Sequence, residues 1–591
     1  MSKGALQRFG WGPIIVCWLL AVLSLYVPLL THAGGVLPFT DNDDVMRMVT
    51  AMDLADGQGW QDKLEHRDNA PYGTPMHWSR LVDAPIAGLL LLLRPELGAH
   101  ATVIVPLVLP PVLLLLLLAA SVGLTRRLLG PGHDLAAALL PVLSIVVLGE
   151  FSPGRIDHHN WQMILTTALV WATISGRTRP IAAIVAGGLA ATSLAIGIET
   201  LPFIVGSIVA FSLFWVRDPA AAGNARRFAL ALAAGTALHF VAATAPAFYF
   251  TAACDELSVT YVVAIGLVAV AMVGATLLGR GLAAPQRLLV MTLFGGLAAG
   301  VTLMLFPECR AGPYGALDAR AFNLLLTHVP EAQPFWNRFL ADPADILPYL
   351  TAPLAGLVIL GPCCSVTRGE RRLDWLVLAL FLLLATLVAL LQIRGARLAV
   401  MPAMPVGVWL IAQASQAYRN RRGALRALGL VASWALFASI VQALVPMVVS
   451  GGSAKANSPV AATGSSACYE PGAYRALAAL PRGSVLSPMQ IGAEVLRYTR
   501  NSVVSAGYHR NPVGALDVED FFSASESVAR RIAWKRNLTY VVACRGMAQL
   551  RADPKAPADS FVALYAQDRH WPWLEPLSAA GDRLQIYRVL K

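Results

Sequence analysis

The chain has 591 residues, of which 56% are apolar and only 14% charged, where a soluble domain carries about 25% charge. With a mean hydropathy of +0.59, this composition excludes a soluble enzyme, a disordered chain and a fibrous repeat. It describes a polytopic membrane protein with room for one soluble domain. The net charge is +11, from 46 Lys and Arg against 35 Asp and Glu. The basic residues form short clusters between apolar runs, the pattern of membrane topology, and no basic tract with interleaved aromatics marks nucleic acid as a partner.

Runs long enough to span a bilayer recur at 11–31, 103–124, 134–150, 160–175, 180–197, 200–216, 228–249, 258–278, 287–306, 346–365, 373–392, 398–415 and 424–449, which predicts about 13 transmembrane helices. The segment 84–94 is too short to span and reads as interfacial or as a lead-in to the second helix. The first run is too long for a cleaved signal peptide. Basic clusters fall in alternate loops: Lys3 and Arg8; Arg126 and Arg127; Arg177 and Arg179; Arg217, Arg226 and Arg227; Arg280 and Arg287; Arg368, Arg371 and Arg372; Arg419, Arg421, Arg422 and Arg426. The positive-inside rule then puts the N-terminus in the cytoplasm and, with an odd number of spans, the tail outside. Ala/Arg/Leu-rich composition and short loops point to a bacterial inner membrane facing the periplasm.

The tail, 451–591, is predicted to be a separate periplasmic domain after the membrane part, 1–450. The Gly/Ser/Ala-rich stretch 450–466 reads as its linker. Short β-rich runs at 484, 502, 538 and 584 alternate with a helical stretch at 518–535, which predicts a small α/β domain. Of seven cysteines, Cys17, Cys363 and Cys364 lie in or at the inner ends of helices. Cys254, Cys309, Cys468 and Cys544 lie outside, where disulfides persist. The simplest pairing is Cys254 with Cys309 and Cys468 with Cys544; free buried thiols are the alternative.

The long loops are outer ones, at 32–102 and 307–345, so the active face is expected there. The first contains 39-FTDNDDVMRM-48. One of Asp41, Asp43 and Asp44 serves as a helix N-cap, but three carboxylates so close together call for a divalent cation or a shared proton. The stretch 71-PYGTPMHWSRLVDAP-85 follows, and its aromatics also suit a membrane-interface belt. The second outer loop, 149-GEFSPGRIDHHNWQ-162, offers Asp157, His158 and His159 as O and N ligands for Mn²⁺ or Mg²⁺. The fifth outer loop holds Glu331 between prolines. The sixth, at 392–398, holds Arg394 and Arg397, which break the positive-inside pattern and suit capture of a lipid phosphate. Glu199 is a further ionisable residue at an outer helix end.

Together these motifs resemble the catalytic subunit of oligosaccharyltransferase, within the GT-C class of polytopic glycosyltransferases. Asp41–Asp44 followed by 71-PYGTPMHW-78 is similar to that family's first outer loop. The run 154-GRIDHH-159 is similar to its Gly-x-x-Asp-x-His motif, and 331-EAQP-334 to its Glu-His-Gln-Pro form. Arg397, with Pro405 and Val406, is similar to an arginine in the family's next-to-last helix. The likeness spans roughly 11–450. The family's peptide-reading Trp-Trp-Asp-Tyr-Gly motif is absent from 451–591, and 507-GYHRNPVG-514 is no equivalent.

The resemblance implies transfer of a sugar or glycan from a polyprenyl-(pyro)phosphate donor to an outer-face glycan, lipid or protein acceptor, with inversion. It implies Asp43, with Asp44 close second, as metal ligand or general base. Asp157 and His159 complete a divalent-metal site, Arg397 and Arg394 hold the donor phosphate, and Glu331 positions the acceptor. Asp41, His158 and Glu199 are expected beside the substrates. The rival readings are a lipid-linked glycan flippase or transporter, which places charges near the bilayer midplane, and a surface-polysaccharide ligase or polymerase.

Overall fold

The computed structural model describes residues 10–31, 39, 41–315, 317–327, 329–449, 466–551, 553–579 and 581–590. The predicted linker, apart from Ser466, lies outside these residues, as do Lys3 and Arg8. The first helix, α1 (Trp11–Thr31), matches its predicted span. It is followed by α2 (Asn42–Ala55), the strands β1 (Leu64–Glu65) and β2 (Thr74–Pro75), α3 (Arg80–Leu97) and α4 (Ala101–Leu129). The helix expected at 84–94 is thus an 18-residue helix starting at Arg80, and a 3-10 turn joins it to α4. Ser79 starts it, its hydroxyl accepting from the Leu81 amide.

The run 134–150 is divided into α5 (Asp134–Val142) and α6 (Ile145–Glu150). The break is at Ser144, whose Oγ accepts from the Val147 amide and restarts the helix. Next come α7 (His158–Gly176), α8 (Pro180–Ile196), α9 (Leu201–Arg217), α10 (Ala222–Ala243), α11 (Val259–Leu278) and α12 (Ala284–Leu305). Gly187 lets α8 lie directly on α10: a Cβ there would meet the Phe228 carbonyl oxygen at 2.6 Å. After the short α13 (Ala319–Phe322) and α14 (Phe335–Ala341), the bundle closes with α15 (Leu347–Val366), α16 (Glu370–Leu391), α17 (Ala396–Asn420), α18 (Ala424–Phe437) and α19 (Ser439–Val449).

Among the described residues eight stretches are long and apolar enough to cross a membrane, or nine if the pair α18–α19, bent by 91°, forms one span. The chain is a multi-pass membrane protein. Thirteen crossings would further require α5–α6, α7, α8 and α10, which are shorter or less apolar. One core runs from Ile14 through Phe437 across these helices. At the end where α4 finishes, Arg127 and Arg177 share the buried Asp374, at 2.7 and 3.4 Å, so basic residues of two predicted inner loops meet at one carboxylate.

The tail folds around a second core. Its elements are α20 (Arg475–Ala479), β3 (Ser484–Leu486), α21 (Gly492–Tyr498), β4 (Ser502–Val503), α22 (Pro512–Ser523), α23 (Glu526–Lys535), β5 (Tyr540–Cys544), α24 (Phe561–Tyr565), β6 (Leu574–Pro576) and β7 (Leu584–Val589). The sheet order is β4-β3-β5-β7-β6, parallel across β4-β3-β5 and antiparallel from β5 through β7 to β6. The four predicted strands are present. β6 was not predicted, and the helical stretch 518–535 is two helices broken at Ala524–Ser525. Both expected disulfides form, Cys254–Cys309 and Cys468–Cys544, and the other three cysteines are free and buried.

The segment between α1 and α3 joins the two cores. Val45, Met46 and Val49 of α2 belong to the tail's core, while Met48 and Ala51 belong to the bundle's. The edge strand β4 is covered by the same segment: Val503 donates to the Arg67 carbonyl at 2.7 Å and accepts from the Ala70 amide at 2.9 Å.

Candidate active site

The site forms where α2, the 149–162 segment and the start of α17 converge. Asp41 is the N-cap of α2, its Oδ1 accepting from the Asp43 amide at 3.2 Å. Its Oδ2 meets Arg155 at 2.9 Å. Asp44 is fully buried and accepts three times: from the Ile156 and Asp157 amides at 2.8 and 2.9 Å, and from Arg155 at 2.8 Å. Both its oxygens are engaged in clasping one outer segment to the other. Burial raises its pKa to about 7, against the pull of Arg155. Asp43 faces the Tyr508 hydroxyl of the tail. Loss of solvent and the nearby charges of Asp41, Asp157 and Glu331 push its pKa well above the ordinary carboxylate range.

Asp157 stands at the N-cap position of α7 without a side-chain cap bond, which leaves its carboxylate to the site, and Gly154 at φ +93° makes the preceding turn. Its Oδ1 receives Arg47 at 3.2 Å and His158 Nδ1 at 2.6 Å. Its Oδ2 is buried without a hydrogen-bond partner, and His159 Nε2 lies 3.5 Å away. Burial opposes the charged form of Asp157, but His158, His159 and Arg47 outweigh it and hold the carboxyl well below its usual range. An orphaned carboxylate oxygen beside an imidazole nitrogen, with Asp43 in electrostatic reach, is a donor set that fits a divalent cation.

The predicted arginines divide. Arg397 pairs with Glu150 at 2.7 Å and with Glu331, and its second terminal nitrogen is buried without a partner. Among the described residues Arg394 has no carboxylate in ion-pair contact. It donates to Gln392 Oε1 at 2.9 Å and to the Tyr314 hydroxyl at 3.4 Å. Glu331, expected to face an acceptor, is thus held by Arg397 here. Glu199 accepts from Gln162 at 3.0 Å and lies 3.8 Å from His158. A cavity of about 150 Å³ opens beside this cluster, with His159, Glu199, Arg394 and Arg397 in its wall.

Several residues of the network were missed by sequence reading. Arg47 is buried between Asp83, at 2.9 Å, and Asp157, and sits 4.2 Å over the Trp78 ring. Arg155 ties Asp41 and Asp44 to Glu150. Tyr508, from the tail, donates to the Asn42 carbonyl at 3.3 Å at the mouth of α2. The Arg in 39-FTDNDDVMRM-48 and the Glu and Arg of 149-GEFSPGRIDHH-159 stood inside motifs already singled out, and their positions among carboxylates were the available signal.

No protein-family model and no curated protein matches the chain. Solved structures do. The archaeal oligosaccharyltransferase AglB from Archaeoglobus fulgidus, in complex with an inhibitory peptide and a dolichol-phosphate, superposes with a TM-score of 0.66 at 15% identity, over 99% of this chain and 75% of that one. The A. fulgidus enzyme tethered with an acceptor peptide gives 0.61 at 14% identity, over 99% and 74%. Its complex with Zn and sulfate gives 0.58 at 15%, over 90% and 68%. The chain therefore has the fold of the A. fulgidus oligosaccharyltransferase, in line with the resemblance of its loop motifs.

Proposed function

We propose that the protein transfers a sugar or glycan from a polyprenyl-phosphate or pyrophosphate donor to an acceptor on the outer, periplasmic face of a bacterial inner membrane. The observation that carries this reading is that His159 and a partly unpartnered Arg397 line one cavity, with an unpartnered Asp157 oxygen directly behind His159, 3.5 Å from its Nε2. An imidazole backed by a carboxylate, and a guanidinium lining the same cavity, are what a departing phosphate requires. The A. fulgidus enzyme binds a dolichol-phosphate and a peptide, so lipid-linked donor chemistry has a precedent on this fold.

Asp43, Asp157 and His159 would hold a divalent metal, Mn²⁺ or Mg²⁺. When bound, such an ion supplies positive charge to the leaving phosphate oxygen. Arg397 and Arg394 bind the phosphate. Because Arg397 is paired with Glu331 beforehand, a phosphate that takes over the guanidinium frees Glu331 to orient the acceptor, while Glu150 keeps Arg397 in place. The bond from the anomeric carbon to the phosphate oxygen breaks with its electron pair leaving on the phosphate. The acceptor atom attacks from the opposite side, inverting the centre, and its proton passes to Asp43. Asp44 acts through the loops it clasps, and Asp41 and His158 orient Arg155 and Asp157 in the same network.

The tail lacks the Trp-Trp-Asp-Tyr-Gly peptide-reading motif, which favours a glycan or lipid acceptor over an Asn-x-Ser/Thr peptide. To test the assignment, Asp43, Asp157 and Glu331 are replaced singly by Ala and membranes are assayed for glycan modification. Loss in the Asp157 and Asp43 variants is expected; full modification in all three overturns the reading. Donor lipids held on the cytoplasmic leaflet, with every downstream glycan reduced, would identify a flippase instead.

A further inference from the structure

Across the cavity from Arg397 stands a second cluster that the proposed reaction does not use. His77 comes from the first outer loop, Asp255 from the segment between α10 and α11, and His509 from the tail. One ligand atom from each lies within 4.8 Å of the others. His509 Nε2 is 2.7 Å from Asp255 Oδ2, and the His77 and His509 rings are 4.5 Å apart between centroids. His77 Nδ1 is buried and has no hydrogen-bond partner. We infer that His77, Asp255 and His509 form a second metal site, for a first-row divalent transition ion such as Zn²⁺, that fastens the tail to the two outer loops over the cavity.

Two imidazoles and one carboxylate are a donor set for such an ion, and three protein ligands leave a coordination position open. All three residues line the cavity, so that position is accessible from the substrate side. The surroundings are those of a supported site rather than a chance encounter. Arg510 donates to the Asp255 Oδ2 at 2.7 Å and to Glu256 at 3.0 Å, and Lys63 pairs with Glu256. A ligating carboxylate is ordinarily oriented by such outer hydrogen bonds. The neighbouring Cys254–Cys309 disulfide ties the Asp255 segment to the turn that follows α12. Without a cation, a buried imidazole nitrogen is left unpaired, which costs free energy. The site stands independently of the sugar-transfer reading.

The test is Zn²⁺ binding by the full chain in detergent after chelator treatment, followed by metal analysis and titration. Wild type is expected to hold one Zn²⁺ equivalent at this site in addition to any held by the Asp157 cluster, and Asp157→Asn retains it. His77→Asn and His509→Ala should each lose it or weaken it by about 100-fold or more, since even an outer-shell partner is worth about 10–100-fold. Co²⁺ in place of Zn²⁺ gives a second readout: a visible ligand-field band in wild type that His77→Asn lacks. Thermal unfolding shows whether each variant is folded, and His77, whose Nδ1 supports no other group, serves if His509→Ala does not fold. Equal Zn²⁺ binding in wild type and His77→Asn, or loss of the equivalent only in Asp157→Asn, would overturn the proposal.

Discussion

The two clusters, one reaching the cavity through His159 and the other lining it with all three members, are built differently. The Asp157 cluster takes three consecutive residues from one turn and adds α2, whose acidic start is likewise contiguous. The His77–Asp255–His509 cluster takes one residue from each of three distant segments. The first is a local motif that needs only a helix cap and a glycine turn to form. The second exists only because the tail's sheet edge is paired with the first outer loop and the Asp255 segment is tied down by a disulfide. Chemistry carried by adjacent residues tolerates loose tertiary structure, and chemistry assembled across segments depends on their docking.

Breaking the local cluster should have the largest effect. Asp157→Asn keeps the shape but removes the charge facing His158, His159 and Arg47, and transfer should fall by about 10³-fold or more, measured as glycan product per unit of enzyme. Chelation of divalent metal should act to a similar extent and be reversed by Mn²⁺. Arg397→Met is next. It leaves Glu331 without its partner and Glu150 with Arg155 alone, lowers Tm, and should raise the KM for the lipid donor more than it lowers kcat. A lower Tm with unchanged donor KM would remove Arg397 from phosphate binding.

Breaking a clasp should do less. Asp44→Asn keeps the one oxygen that accepts from both amides but turns an amide NH₂ toward Arg155 and loses that pair, and a loss of about 1–3 kcal/mol is expected in thermal unfolding. Activity should fall only as far as Asp157 is displaced. The smallest effect tests the tail alone. Glu494 is buried in α21, and burial raises its pKa from the ordinary 4.5 to about 8. The folded state therefore holds this proton more tightly than the unfolded chain does. Its contribution to stability is full below about pH 4.5 and is lost as pH rises through 8. Glu494→Gln should flatten the fall in Tm over that window; an unchanged pH profile would show that Glu494 ionises freely.

The same contrast explains what was legible in the sequence. Asp43, Asp157, His159 and Arg397 stood out because residue type and loop position together are unusual. Their neighbours Arg47, Glu150 and Arg155 are ordinary residues until the fold sets each against a buried carboxylate or guanidinium. His77, Asp255 and His509 carry no mutual signal at all, since nothing along the chain says that they meet. In the bundle, apolar run length found α1, α9, α11 and α12 closely. It failed at 134–150, where a serine cap interrupts an unbroken apolar run, and at Arg80, where a polar helix start precedes the apolar stretch. In the tail, alternating β-rich runs marked four strands, whereas β6 is three residues ending in Pro576 and offers too little pattern to detect. Ser525, just ahead of Glu526, was the one sign that 518–535 holds two helices.

The most direct test of the central claim is the level of polyprenyl-linked donor in membranes carrying wild-type protein or Asp157→Asn at equal abundance. The account predicts that the donor accumulates on the outer leaflet with Asp157→Asn while one glycan loses its added sugar. Equal donor levels and intact glycans in both membranes would contradict it.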